Sequence, residues 1–186
     1  VEYTDVQYQI LIVRLLAALL MSMLTANSAL AAGVNATSTW KAQTQKFNYT
    51  GFTTYYTCDG LEDKVRQVLL HLGARSDVKV RATGCAYGWN EPSPHAWVEA
   101  AFYALAPTAD AAAGEVVATH WSTFELAARR PTFMGDGECE LIQQMRRVIE
   151  TSFALREVDY RASCAAHQIS LGDFSVHGQV LLADKH

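Results

Sequence analysis

Two stretches of the chain carry one pattern of apolar and polar positions. With Leu61 set over Leu141, the residues Leu61, Val65, Val68 and Leu69 fall on Leu141, Met145, Val148 and Ile149. These offsets of 0, 4, 7 and 8 form one stripe of an amphipathic helix. Behind the first helix the period changes to two. Val78, Val80 and Ala82 alternate with Lys79, Arg81 and Thr83, as in a strand with one face under the helix. The alignment runs without a gap to Thr83 over Ser163. It matches Arg66 with Arg146, Ala74 with Ala154, Val78 with Val158, Arg81 with Arg161 and Ala82 with Ala162. Self-similarity of this kind predicts two copies of one supersecondary unit.

The flanks complete each unit. Gly51–Thr57 is rich in Thr and Tyr and reads as a strand before the first helix. Asp59 and Glu62 fit a capping box at that helix start, and Gly73 fits its stop. Residues 86–95 read as a long hairpin loop. Ala96–Leu105 follows as a strand with two largely apolar faces, expected in a central or covered position. Val116–Leu126 and Phe174–Leu182 are the matching first and last strands of the second unit. The expected fold is α+β: a two-layer sandwich of duplicated β-α-β-β units, with about six strands and two helices on one face. The repeats span 51–106 and 116–182 within a single domain, 51–186. Residues 32–50 are polar and mixed, and read as a flexible segment or a first edge strand.

The N-terminal stretch reads as a targeting segment. Arg14 precedes the apolar run Leu15–Leu24, and Ala29-Leu30-Ala31 fits a small-x-small cleavage pattern. Residues 1–31 are therefore expected to be a signal peptide, leaving no stable membrane span after cleavage. The alternative is an anchor helix from Ile10 to Leu24, which would bury Arg14. Val1, with Glu2 and Asp5 behind it, fits a fragment or an over-extended start.

The four cysteines bracket the two helix–strand units. A helix of about 14 residues spans about 21 Å and a returning strand of about 7 residues about 23 Å. Helix start and strand end then meet, so the repeat selects Cys58–Cys85 and Cys139–Cys164 among three possible pairings. The competing reading is a four-cysteine zinc site, which lacks the usual Cys-x-x-Cys pair. Paired cysteines place the protein in an oxidising compartment, periplasmic or secreted.

CDGLEDKVRQVLLHLGAR with VKVRATGC, and later GECELIQQ with RASCAAHQ, resembles a set of small exported proteins of unknown function from Gram-negative bacteria. The resemblance covers roughly residues 52–182. It implies export and a bacterial source, and brings no activity.

The chain has 186 residues, half of them hydrophobic, and a net charge of −4. That is length enough for a well-buried domain, and the mild acidity argues against a nucleic-acid partner. Arg81 and Arg161 share a column on the face away from the helices, where a pair of guanidiniums could clamp an anion or carboxylate. The plainer reading is a cross-strand ion pair of Arg81 with Glu99. Tyr55, Trp89, Trp97, Tyr103 and Trp121 could build a surface for a protein, peptide or glycan. Their plainer role is burial in the core or in a homodimer.

None of His71, His95, His120, His167, His177 and His186 sits at a metal-ligand spacing, although His120 and His177 could meet through space. No nucleophile motif or phosphate loop occurs, and no cofactor is implied. The leading expectation is an exported, non-catalytic binding domain with Arg81, Arg161, Tyr55, Trp97 and Glu99 as ligand-binding residues. The alternatives are a small envelope hydrolase or metal-dependent enzyme, and a structural subunit that dimerises through the sheet face.

Overall fold

The long polar stretch before residue 51 folds as the first and longest strand of the sheet. In the computed structural model, which describes residues 36–87, 91–107, 115–164 and 174–184, the order is β1 (Ala36–Thr50), α1 (Cys58–His71), β2 (Lys79–Thr83), β3 (Ala86–Tyr87), β4 (Glu91–Pro92), β5 (His95–Pro107), β6 (Val116–Ala127), α2 (Cys139–Ser152), β7 (Leu155–Ala162) and β8 (Phe174–Ala183). Six strands form one open antiparallel sheet in the order β2-β5-β1-β6-β8-β7, and β3 and β4 form a separate two-stranded ladder. The class is α+β, as the sequence predicts. The segment read over 1–31, together with Trp89, His167 and His186, lies outside the described residues.

Both helix stripes are buried. Leu61, Val65, Val68 and Leu69 of α1, and Leu141, Met145, Val148 and Ile149 of α2, share one core with Val80, Ala82, Val98, Ala100 and Phe102 of the sheet. α1 starts two residues earlier than a cap at Asp59 requires. Thr57 is the cap, its hydroxyl accepting from the Gly60 N–H at 3.2 Å. Glu62 is thereby released from a capping box. It reaches across to accept from the Ala82 N–H at 2.8 Å, which covers part of the edge strand β2. Gly73, with φ at 86°, ends the helix in the left-handed conformation.

Two sequence expectations are corrected here. Of the segment 32–50, read as flexible or as an edge strand, residues 36–50 instead form β1, between β5 and β6, and 32–35 lie outside the described residues. Gln43 and Gln45 occupy helix-side positions where an apolar residue would have shown the alternation; Phe47 and Tyr49 continue their row into the core. Gly51–Thr57 is not a strand either. Its polar groups bond to the start of α2 rather than to a ladder. Both Glu140 carboxylate oxygens accept from Thr53 N–H at 3.1 and 3.2 Å, and Thr54 Oγ1 donates to the Gly137 carbonyl at 2.7 Å.

Both disulfides form as the sequence predicts, Cys58 with Cys85 and Cys139 with Cys164. Each joins a helix start to the end of the following strand. In the chain-entropy picture each contributes about 3–4 kcal/mol.

Val158 departs from its sequence counterpart. Val78 is buried, whereas Val158 is exposed. A β-bulge between Arg156 and Asp159, with Glu157 at φ 54°, shifts the phase of β7. The phase returns by Tyr160 and Ala162, which pack on the core. The bulge presses on Gly178 of β8: a Cβ there would lie 3.1 to 3.2 Å from Arg156 O, Val158 Cα and Glu157 O. All three are backbone atoms and cannot rotate away. Gly178→Val is expected to lower stability by about 1–3 kcal/mol, read from the urea midpoint; a wild-type midpoint would show that β7 does not press there.

Candidate functional site

The register places two rows of side chains on the sheet face opposite the helices. Thr83, Trp97 and Asn48 form one row across β2, β5 and β1. Arg81, Glu99 and Lys46 form the next. Together they line a groove of about 460 Å³, floored by Phe47 and Val98. Trp97 stands 67% exposed at its centre. β5 is central, with β2 on one side and β1 on the other, but it is not covered on both faces: Ala96, Val98, Ala100 and Phe102 are buried, whereas Trp97 and Glu99 lie open.

Glu99 takes its ion pair from Lys46, Nζ to Oε2 at 3.2 Å, between side chains 70% and 53% exposed. Such a pair is worth about 0–1 kcal/mol. Arg81 lies directly across from Glu99, yet among the described residues it enters no ion pair. A free guanidinium, an exposed ammonium–carboxylate pair and an open indole therefore share one shallow groove. This can hold a ligand that presents a flat apolar face and an anionic group. It offers no nucleophile paired with a base.

Of the sequence-predicted residues, Arg81, Trp97 and Glu99 come together here. Arg161 does not. It lies on β7, the opposite edge of the sheet from β2, and its guanidinium contacts Asp159 at 2.9 Å. Five strand spacings separate the two arginines, about 24 Å across a flat sheet, so they cannot grip one small anion. Tyr55 is half exposed but sits in the segment before α1, outside the groove. Tyr103 lies beneath Arg75, whose guanidinium is 3.7 Å from the ring and tied to Asp77. Trp121 lies beneath Arg156 at 4.3 Å. The aromatics thus pair with local arginines instead of forming one surface. Lys46 and Asn48 were missed in the sequence because the stretch carrying them does not read as a strand.

The histidines stay apart. His120 shares a row with Leu182 and His177 with Glu125, which puts them on opposite faces. His120 bonds Asp184 at 2.5 Å. His71 is partly buried beside Phe133 with Nε2 3.2 Å from the Glu125 carbonyl. Burial pushes its pKa below the ordinary value of 6.5, outweighing the carbonyl contact. Among the described residues no three His, Cys, Asp or Glu side chains come close enough to hold a metal ion. No helix among them is long and apolar enough to cross a membrane.

A second polar cluster lies inside, between the helices. Lys64 of α1 reaches Glu138 at 2.7 Å and also donates to the Phe133 carbonyl. Tyr49 and Tyr56 pack edge to face at 5.2 Å, and Tyr49 donates to the Thr54 carbonyl at 2.5 Å. Burial first, then the negative charges of Glu140 and Glu138 respectively, raises both phenols above their ordinary value of 10. Both phenols stay protonated, and the cluster ties α1, the start of α2 and the segment after β1 together. No protein family, no curated protein and no solved structure matches the chain.

Two outcomes follow from burial. Lys64→Met leaves Glu138 buried without its cation and is expected to cost about 3–5 kcal/mol, whereas adding Glu138→Met restores part of the loss; urea unfolding of both variants reads the difference. Trp97→Ala and Arg81→Ala, by contrast, should each stay within about 0.5 kcal/mol of the parent, and a larger loss by the same measurement would make the groove residues structural.

Proposed function

We propose that this chain is an exported, non-catalytic binding module that holds an acidic saccharide in the groove around Trp97. The observation that carries this reading is the exposed indole flanked by Arg81 and Lys46 on an uncovered sheet face. A sugar ring stacks its C–H face on the indole. Arg81 has its guanidinium free for a ring carboxylate. Asn48, Thr83 and Glu99 supply hydrogen-bonding groups for hydroxyls at the rim. Export is supported by two disulfides, which persist in oxidising compartments, by the signal-like sequence over residues 1–31, and by the resemblance to exported Gram-negative proteins. We also read the two halves as copies of one ancestral unit. Its support is the shared sequence columns, the mirrored strand order β2-β5-β1 and β6-β8-β7, and the matching disulfides.

Affinity electrophoresis of the oxidised protein tests the binding reading, with polygalacturonate and alginate in the gel against a neutral glucan. The acidic polymers are expected to retard the protein, and Trp97→Ala and Arg81→Ala to abolish the retardation. Arg161→Ala should leave it unchanged. Migration unaffected by every polymer, or retardation that survives Trp97→Ala, would count against the assignment.

A further inference from the structure

The free edge of β1 carries a second site. β1 pairs with β5 from Ser38 to Thr50, but with β6 only from Ala36 to Thr39. Among the described residues no strand pairs with the remainder on that side. Thr50 shows which backbone groups face the gap. The Gln144 side chain of α2 accepts from Thr50 N–H at 2.7 Å and donates to Thr50 C=O at 2.8 Å. It stands where a neighbouring strand would. Peptide groups alternate sides along an antiparallel strand. Those of Thr44, Lys46 and Asn48 therefore point the same way as those of Thr50.

This stretch borders a groove of about 500 Å³ between β1 and α2, with Lys46, Phe47 and Asn48 on the strand and Gln144, Arg147 and Val148 on the helix. From Thr44 to Asn48 the edge is about 17 Å long, the length of an ordinary short strand. Gln144 closes one end. The charged lining is wholly basic, Lys46 on the open face and Arg147 on the helix wall.

We propose that an acidic, extended segment of a partner protein adds here as a further strand of the sheet. Backbone bonds to Lys46 and Asn48 supply affinity that does not depend on sequence, and flanking side chains supply choice. An acidic residue placed opposite Lys46 completes a row of alternating charge: guest carboxylate, Lys46, Glu99, Arg81. Opposite charges across neighbouring strands stabilise a sheet, and like charges oppose it. A second copy pairing edge to edge would set Lys46 and Arg147 of both chains together, which the same rule disfavours. This site is separate from the face around Trp97, although Lys46, Phe47 and Asn48 border both.

The test uses a short peptide alternating Glu and Val, the same peptide with Lys for Glu, and the Glu peptide N-methylated at alternate residues. Amide hydrogen exchange read by NMR on the oxidised protein should show protection of Lys46 and Asn48 by the Glu peptide alone. Lys46→Glu should weaken binding roughly fivefold or more. Asn48→Pro removes an N–H aimed into the groove while the β1–β5 bonds persist, and should abolish binding in a folded protein. Trp97→Ala should leave peptide binding intact, which separates this site from the saccharide reading. Equal binding of the N-methylated peptide overturns the proposal, as does protection that omits Lys46 and Asn48. So does an absence of binding by the Glu peptide. Concentration-dependent protection of these amides without peptide would assign the edge to a second copy and overturn it equally.

Discussion

Four residue pairs hold the two halves of the sheet together. Ala36–Thr39 of β1 lies against Val116–Thr119 of β6, and inside that seam Ser38 Oγ and Thr119 Oγ1 share a buried hydrogen bond of 3.0 Å. The two strands overlap only at their beginnings and then run on in opposite directions. This short overlap decides which strands lie at the edges, since β2 and β7 are pushed to the outside. It also leaves most of β1 with one edge that no strand among the described residues pairs. A longer overlap would bury that edge in the sheet.

The helices compensate for the short seam. Gln144 of α2 takes both backbone groups of Thr50 on β1, and His71 of α1 meets the Glu125 carbonyl on β6. Each helix therefore satisfies backbone groups of the strand that begins the other half. Buried peptide groups need such partners. The Lys64–Glu138 pair and the Glu140 bonds to Thr53 extend the same linkage through the interior. The halves are joined by one short ladder and by side chains crossing between them. The disulfides lie within each half and add nothing across the seam.

Among the described residues both helices lie on one face of the sheet, and the other face is open around Trp97. Trp97, Arg81 and Lys46 stay exposed because both helices occupy the other side. An exposed indole among cations is a costly surface to carry without a use, since large apolar side chains are favoured inside. Elsewhere in the sheet two arginine–aromatic pairs, Arg75 with Tyr103 and Arg156 with Trp121, are locally closed. Among the described residues Trp97 has no stacked cation, and Arg81, free of any ion pair, lies in the adjacent row.

Much of this was legible in the residues. The apolar stripes at helical spacing marked both helices, and the position of each cysteine at a unit boundary selected the disulfide pairing, because helix rise and strand rise bring those ends together whatever the surroundings. Alternation also set Val98 and Trp97 on opposite faces of β5, but both faces read as apolar and which one lies open was not legible. Tertiary structure decided the rest. β1 was hidden because Gln43 and Gln45 stand on its inner face, and a strand's register and neighbours are set by distant partners that local periodicity does not record. The separation of Arg81 from Arg161 has the same origin: matching columns give matching places within each half, but only the β1–β6 contact determines that those places end up at opposite edges.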